Sequence, residues 1–272
     1  MVKFRDMIPP IPSNASEFRP DESRAWIAEH WADTLLYVTL YLLMVAYGPS
    51  YMSKRPSLDV RLKPILIGWN AALCLFSAIG AVHVVPELIS YVRSNGIVAS
   101  TCELGDQFYG DVGFWGWLFI LSKIPELGDT VFLVARKRPI IFLHWYHHVT
   151  VALYAWVSYR WPNSASRWGT SMNFTVHAFM YGYYCIRAAG FRVPSRLAMS
   201  ITLLQIMQMI IGTYICAIVS GHVFLGLGSS ECVVHPYVAA AQLAMYASYL
   251  VLFCQFFIRS YFSQQHKRIK SV

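Results

Sequence analysis

The chain has 272 residues, of which 56% are hydrophobic and 13% are charged. Soluble domains contain about a quarter charged residues, so this composition excludes an ordinary soluble domain and indicates a membrane protein. The formal net charge of +8 does not indicate a nucleic-acid partner, because the basic residues flank apolar segments, where they set topology and contact lipid headgroups.

The first predicted element is a polar, proline-bearing segment at residues 1–30, interpreted as a loosely ordered lumenal tail. Its Asn14-Ala15-Ser16 triplet is a glycosylation sequon at Asn14. Seven apolar segments follow, each long enough to cross a bilayer as a helix: approximately 32–50, 64–85, 114–135, 139–159, 169–187, 197–220 and 237–258. The sequence therefore predicts an all-α polytopic membrane domain over residues 31–262, followed by a basic cytosolic tail at 263–272.

The basic residues in the connections predict the orientation of these spans. Most of them fall on one side, at residues 54–63, 136–138, 187–196 and 259–270. That side is expected to be cytosolic, which places the N-terminus in the lumen and the C-terminus in the cytosol. Cys102 and Cys232 then fall in two lumenal loops, where an oxidising compartment permits a disulfide between them.

The third span contains charged residues, Lys123, Glu126 and Asp129, which would be strongly destabilising if they faced lipid. Their helical spacing places them on one inward stripe, and Pro125 is expected to kink the helix there. Two interpretations stay open. In one, the residues form an ion-pair network that fixes helix packing. In the other, a carboxylate orients a histidine. The second interpretation is favoured for Asp129, and the two are weighted equally for Glu126.

The fourth span contains His144, His147 and His148 inside the apolar run 140–156. Their spacing of i, i+3 and i+4 places three imidazoles on one helix face. A single histidine in such a run is more often a satisfied core residue. Three on one stripe at membrane depth predict a reactive site.

The fifth and sixth spans add further polar stripes. Asn173, His177, Tyr181 and Tyr184 share one helix face, and Gln205 and Gln208 share another. The alternative interpretation is core packing, with the glutamines hydrogen-bonded to a neighbouring helix. Taken together, the stripes predict a narrow polar chamber whose long apolar walls can hold an acyl chain.

Three function classes are compatible with these histidines. Metal chemistry is one: membrane di-iron enzymes use more histidines than the four at a common depth here, but neutral imidazoles can hold a single Zn²⁺, and a histidine-bound metal, Zn or Fe, gives the alternative of a membrane lipid oxidoreductase. Nucleophilic catalysis is another, because a neutral imidazole attacks a thioester to give an acyl-imidazole, which persists only in a dry chamber. A non-enzymatic seven-helix receptor or transporter is the third, and it leaves the imidazole stripe unexplained.

The motifs resemble those of the fatty acid elongases, the very-long-chain 3-oxoacyl-CoA synthases of the endoplasmic reticulum. The matching segments, in order, are residues 123–130, 144–148, 172–184 and 202–208. The resemblance implies seven transmembrane helices, six of which form a barrel around an acyl tunnel. It implies an acyltransferase of fatty acid biosynthesis that condenses acyl-CoA with malonyl-CoA as co-substrate, releases CO₂ and CoA, and needs no metal or cofactor.

The same resemblance implies roles for individual residues in a ping-pong Claisen condensation. His147 takes the acyl group covalently, His177 assists, His144 and His148 complete the centre, and Asp129 and Asn173 orient the rings. Cys102 and Cys232 resemble a bridge of the family. Substrate contacts are expected from Lys123, Glu126, Tyr181, Tyr184, Gln205 and Gln208, and from the basic residues Arg136, Lys137, Arg138, Lys267 and Arg268, which are CoA-phosphate ligands or topology charges.

Substrate and partner expectations follow from the remaining motifs. Pro139 and the loop at residues 187–193 resemble the subgroup that elongates saturated and monounsaturated acyl chains. The basic C-terminus resembles dilysine-type retrieval signals of the endoplasmic reticulum, and the equal alternative is a stop-transfer charge cluster after the last span. The expected partners are acyl-CoA, malonyl-CoA and the bilayer, with the other enzymes of the elongation cycle and a second copy of the chain as candidates.

Overall fold

The computed structural model describes residues 9–227 and 232–262. These residues form helices and connecting turns, without a strand among them. The α-helices are α1 (Pro20–Glu29), α2 (Trp31–Ser53), α3 (Asp59–Cys102), α4 (Gly110–Ser122), α5 (Gly128–Ala135), α6 (Phe142–Tyr159), α7 (Ser166–Ala189), α8 (Ser195–Leu225) and α9 (Pro236–Phe257).

The seven apolar segments of the sequence all coincide with helical residues, and the third is divided between α4 and α5. Within the described ranges, four helical segments are long and apolar enough to cross a membrane: Trp31–Ser53, Asp59–Cys102, Ser195–Leu225 and Pro236–Phe262. Helices α4 and α5 have only 13 and 8 residues, and α6 and α7 carry the polar stripes. The protein is therefore an all-α, multi-pass membrane protein.

The break between α4 and α5 lies at the proline for which a kink is predicted. Helix α4 ends at Ser122, the segment Pro125–Leu127 is a 3₁₀ helix, and α5 begins at Gly128. Proline lacks the N–H that would continue the α-helical ladder, which accounts for the break. Lys123 and Glu126 lie within it and are only 2% and 4% exposed, so both charged groups are turned into the protein.

The helices contact one another in a closed cycle. Helix α3 contacts α7, α7 contacts α8, α8 contacts α9, α9 contacts α6, α6 contacts α4 and α4 contacts α3. Helix α2 lies outside this cycle, against α5 and α6. The packing of α3 against α7 depends on Gly80, where an added Cβ would lie 2.6 Å from the ring of Phe174.

The N-terminal segment differs from the prediction of a loosely ordered tail. Phe18 and Ile27 are 6% and 0% exposed, and the ring of Trp26 packs edge-on against Trp117 with centroids 6.0 Å apart. Residues 9–30 therefore pack onto the helical core, and the prediction is wrong for them. The signal for this packing was the apolar residues at 18, 26 and 27, which the polar average composition of the segment hides. Residues 1–8 lie outside the described part of the chain.

A disulfide joins Cys102, at the end of α3, to Cys232, just before α9. These are the two loop positions for which the sequence predicts a bridge. The backbone N–H of Val233 also donates to the carbonyl oxygen of Cys102 at 2.9 Å. The bridge closes a sequence separation of 130 residues and ties one end of α3 to the start of α9.

Removal of this bridge is expected to lower stability. A Cys102→Ser, Cys232→Ser variant should lose about 2–4 kcal/mol of unfolding free energy, because the unfolded chain regains the conformational freedom that the cross-link removes. Thermal denaturation in detergent measures the effect. Cys254→Ser is the matched control, since that thiol is free. Equal melting temperatures for the double variant and the control would contradict the structural role of the bridge.

Candidate active site

The four histidines of the predicted centre lie around one cavity. This central cavity has a volume of about 160 Å³ and is lined by side chains of α5, α6, α7, α8 and α9. Its polar lining consists of Asp129, His144, His147, His148, Asn173, His177, Tyr181, Tyr184, Gln205 and Gln208. The polar stripes of the separate spans are thus brought together.

A second cavity, the mouth cavity, adjoins the centre at the end of the bundle that carries most of the basic connections. It has a volume of about 610 Å³, and Arg136, Arg138 and Arg187 are among its lining residues. Asp129 and His144 line both this cavity and the central one. The histidine centre is therefore next to a basic entrance.

A third cavity, the inner cavity, leads from the centre towards the opposite end of the bundle. It has a volume of about 100 Å³ and a mainly aromatic and aliphatic lining. His147, Asn173, Gln208 and Met209 line both this cavity and the central one. Mouth, centre and inner cavity thus adjoin in series, with imidazoles at the junctions.

His147 occupies the junction between the centre and the apolar inner cavity. Its ring lies 4.9 Å from the ring of Tyr249 and 5.6 Å from that of His148, measured between centroids. Among the hydrogen bonds of the described residues, none involves its imidazole nitrogens. A ring nitrogen of His147 is consequently available to react with a group placed at the junction.

His144 and His148 lie beside it on the same helix, with ring centroids 4.5 Å apart. The Nε2 atom of His144 is 2.8 Å from the Thr130 hydroxyl, which is 2.9 Å from the Tyr41 hydroxyl. His148 is 7% exposed, and its Nδ1 is buried without a hydrogen-bond partner in the described part of the chain. Sequence reasoning assigned no role to Thr130 or to Tyr41.

His177 is held by a network that begins at Lys123. The Lys123 ammonium donates to Glu126 Oε1 at 2.7 Å and to Asn173 Oδ1 at 3.1 Å. Because Asn173 Oδ1 accepts from the ammonium, its Nδ2 must be the donor to His177 Nε2, at 3.2 Å. The proton of a neutral His177 then lies on Nδ1, which is 3.9 Å from Glu126 Oε2. The buried ion pair thereby sets the tautomer of the histidine.

Asp129 does not orient a histidine directly, and that prediction is wrong. Its Oδ1 accepts from the indole N–H of Trp69 at 2.7 Å, and its Oδ2 accepts from the Tyr181 hydroxyl at 2.8 Å. The carboxylate beside an imidazole is Glu126. Asp129 acts at one remove, because the ring of Tyr181 packs perpendicular to that of His177 at 5.3 Å. Sequence reasoning missed Trp69, whose indole N–H needs an acceptor inside an apolar span.

The predicted substrate-contacting residues divide into two groups. Tyr184, Gln205 and Gln208 line the central cavity, and Gln205 Nε2 lies 3.4 Å from the sulfur of Met180. Lys123 and Glu126 are absent from the lining of the central, mouth and inner cavities. They lie behind Asn173 and His177, so direct substrate contact by this ion pair is not supported and its role is positioning.

The predicted basic ligands also divide. Arg136 and Arg138 line the mouth cavity and pair with opposite oxygens of Asp59 at 2.5 Å and 2.8 Å. Lys137 instead has a positive φ of 54° and donates to the carbonyl oxygen of Ser53 at 3.3 Å, so it lies away from the cavity. The predicted ligands Lys267 and Arg268 lie outside the described residues.

The predicted glycosylation position lies in the packed N-terminal segment. Asn14 is exposed, and its side-chain oxygen accepts a hydrogen bond from the backbone N–H of Ser16 at 3.1 Å. An exposed sequon is accessible to the glycosylation machinery if it lies on the lumenal side, where the sequence predicts the N-terminal segment to lie. Modification of Asn14 stays a prediction.

The arrangement of ligand atoms bears on the metal alternative. Among the described residues, Cys102, His222 and Cys232 place three possible metal-ligand atoms within 4.8 Å of one another. Its two sulfur atoms are joined in the disulfide. The four imidazoles of the centre do not converge in this way, and nitrogens of His144 and His177 already contact Thr130 and Asn173.

Several known proteins are similar in sequence to this chain over most of its length. The profile described as ELO: GNS1/SUR4 family matches residues 26–269. The chain is 44% identical over 249 residues to very long chain fatty acid elongase 6 of Drosophila melanogaster, covering 90% of this chain and 77% of that protein. It is 41% identical over 257 residues to very long chain fatty acid elongase 6 of Homo sapiens, covering 94% of each. With long chain fatty acid elongase 1 of Caenorhabditis elegans it shares 41% identity over 244 residues, covering 89% of this chain and 83% of that protein.

Proposed function

The chain belongs to the ELO (GNS1/SUR4) family and is a condensing enzyme of fatty acid elongation, and we propose that it works through an acyl group held on His147. The activity is that of a 3-oxoacyl-CoA synthase, an acyltransferase that acts on acyl-CoA and malonyl-CoA. The observation that carries the covalent role is the position of His147, between the cavity of the histidines and the apolar inner cavity.

The first half-reaction transfers the acyl group to the enzyme. The acyl chain enters the inner cavity, and the thioester carbonyl stops at the His147 ring. A neutral imidazole nitrogen forms a bond to the carbonyl carbon, the C–S bond breaks, and the thiolate of CoA leaves with the proton released by the ring. The apolar lining excludes water, which would otherwise hydrolyse the acyl-imidazole.

The second half-reaction forms the carbon–carbon bond. Malonyl-CoA loses CO₂, and the resulting enolate carbon attacks the acyl carbon. The bond to imidazole breaks, and the ring takes up from solvent the one proton that the overall condensation consumes. Gln208 is the best-placed donor for the developing oxyanion, because it lines both cavities at the junction, whereas Asn173 and Tyr181 already donate to His177 and Asp129. Such a donor typically contributes about 3–4 kcal/mol.

The same proposal extends to membrane arrangement and substrate. The chain crosses the membrane seven times. Six of the spans surround the series of cavities in the cyclic order of their contacts, and the seventh, α2, lies outside them. The mouth cavity faces the cytosol of the endoplasmic reticulum membrane, and Arg136 and Arg138 bind CoA phosphates once these displace Asp59. The preferred substrates are saturated or monounsaturated long-chain acyl-CoAs, and no metal or cofactor takes part.

Reconstitution of the purified protein in liposomes tests the activity. With a long-chain acyl-CoA and malonyl-CoA, mass spectrometry should detect a 3-oxoacyl-CoA two carbons longer than the substrate. Acetyl-CoA in place of malonyl-CoA is the matched control and should give no product, because it cannot lose CO₂. Lengthening that does not need malonyl-CoA, or no lengthening of any acyl-CoA in a panel of chain lengths, would overturn the proposal.

The width of the inner cavity provides a prediction about chain length. Tyr246 lines this cavity, and a Cβ added at Gly212 would lie 2.1 Å from its ring. Gly212→Ala therefore forces the ring to move, and we expect preference to shift several-fold towards shorter acyl chains. Competition between acyl-CoAs of different length measures the shift. Gly68→Ala is the control, since a Cβ there meets nothing within 4 Å. An unchanged length profile in the Gly212 variant would show that Tyr246 does not bound the chain.

A further inference from the structure

A cluster of neutral polar side chains lies in the otherwise apolar wall of the inner cavity. Tyr154 of α6, Asn163 of the following loop and Gln242 of α9 all line it. The Tyr154 hydroxyl donates to Gln242 Oε1 at 3.0 Å, and Asn163 Nδ2 donates to the Tyr154 hydroxyl at 3.1 Å. The condensation described above does not use any of the three.

The amide nitrogen of Gln242 is left without an acceptor. The residue is 3% exposed, and within the part of the chain that the structure describes its Nε2 has no hydrogen-bond partner. A buried donor of this kind destabilises the fold when it is left unpaired. With Oε1 engaged by Tyr154, Nε2 is the free polar atom of a side chain that lines the inner cavity.

Rotating the amide by half a turn does not resolve the problem. Asn163 is fixed, because its Oδ1 accepts from the backbone N–H of Ala165 at 3.1 Å, so its Nδ2 remains a donor. That Nδ2 lies 3.4 Å from Gln242 Oε1. A rotated Gln242 would turn its Nε2 towards the Asn163 donor, leave the Tyr154 hydroxyl proton without its acceptor, and bury its own oxygen towards the apolar cavity. The orientation with Oε1 towards Tyr154 is therefore the favourable one, and the free donor is a property of the site.

The position of the cluster relative to His147 follows from helix geometry. Tyr154 is seven residues beyond His147 on α6, which is about 10 Å along the helix axis. Gln242 precedes Tyr249 by the same interval on α9, and Tyr249 packs against the His147 ring. The free N–H thus lies about 10 Å from the reactive imidazole, along the course of an acyl chain in the inner cavity.

We propose that Gln242, supported by Tyr154 and Asn163, is a subsite for an oxygen atom on the acyl chain, so that the enzyme elongates hydroxylated acyl-CoAs. The inference rests on the proposed function, because it names a substrate class for the same tunnel. A chain hydroxyl is costly to bury in an apolar cavity, and so is an unpaired amide N–H. A hydrogen bond between the chain hydroxyl and the Gln242 N–H offsets the desolvation free energy of both groups.

A positional scan of the substrate tests this subsite. Wild-type protein in liposomes receives malonyl-CoA and acyl-CoAs of one chain length that carry a single hydroxyl group at successive carbons. We expect kcat/KM to peak, about tenfold above the other isomers, where the hydroxyl lies near Gln242. Gln242→Met should remove the peak at similar side-chain volume. Gln255→Met is the matched control, because Gln255 is exposed on the same helix, and it should keep the peak.

The outcomes separate the subsite from the activity. If wild type elongates unsubstituted acyl-CoA but shows no peak among the hydroxylated isomers, the amide binds water only and the subsite is overturned. If a peak is present and Gln242→Met retains it, another group binds the oxygen, and the assignment to Gln242 is overturned. If wild type elongates no acyl-CoA at all, the proposed function itself fails. Should Gln242→Met not fold, the wild-type scan alone decides.

Discussion

Replacement of His147 by alanine is expected to lower kcat/KM for elongation at least about a thousandfold, because removal of a nucleophile eliminates the covalent route. The variant should remain folded with only a small loss of thermal stability, because the ring borders two cavities and makes no hydrogen bond among the described residues. Malonyl-CoA-dependent product formation, measured by mass spectrometry, gives the rate.

The control for this substitution is His83→Ala. His83 lies outside the central cavity, where it packs on Trp115 and pairs with Asp111 at 3.7 Å, so its loss should change elongation little. A His147→Ala variant that melts like wild type and retains elongation within tenfold of it would show that this ring is not the nucleophile.

Lys123→Met is expected to cause the largest loss of stability, about 3–5 kcal/mol, because it leaves the Glu126 carboxylate buried without its partner. It also removes the donor that fixes Asn173 and, through it, His177. Elongation should therefore fall even where the protein remains folded. Thermal denaturation and the elongation rate are measured on the same preparation.

A second variant separates folding from positioning. Lys123→Met combined with Glu126→Gln removes both charges, so most of the lost stability should return while the elongation rate stays low. Arg19→Met is the matched control for breaking an ion pair, because Arg19 and Glu22 are 76% and 63% exposed, and it should cost about 0.5 kcal/mol or less. If the double variant regains wild-type elongation, the ion pair has no positioning role.

Features of the fold that depend on residues close together in the chain could be predicted from the sequence. The stripe of His144, His147 and His148 depends only on helical spacing, and so does the line from Asn173 to His177 and Tyr181. The interruption at Pro125 follows from the chemistry of one residue. In each case the determining residues are close in sequence, so periodicity is sufficient information.

The contacts between helices were not predictable in the same way. Helical spacing allows both Glu126 and Asp129 to face inward. Only the packed structure shows that the Asp129 carboxylate accepts hydrogen bonds from Trp69 and Tyr181. It also shows that Glu126, and not Asp129, approaches His177. Helical spacing does not report the rotation of one helix relative to another. Similarly, charge alone did not separate Lys137, which caps α2, from the neighbouring arginines at the mouth cavity.

The most direct test of the covalent mechanism is peptide mapping of the wild-type protein after incubation with a long-chain acyl-CoA in the absence of malonyl-CoA. We expect an increase in mass equal to the acyl group on the peptide that contains His147, and its disappearance when malonyl-CoA is added. An enzyme that elongates at its normal rate while carrying no acyl group on His147, or carrying it on a different residue, would contradict the mechanism.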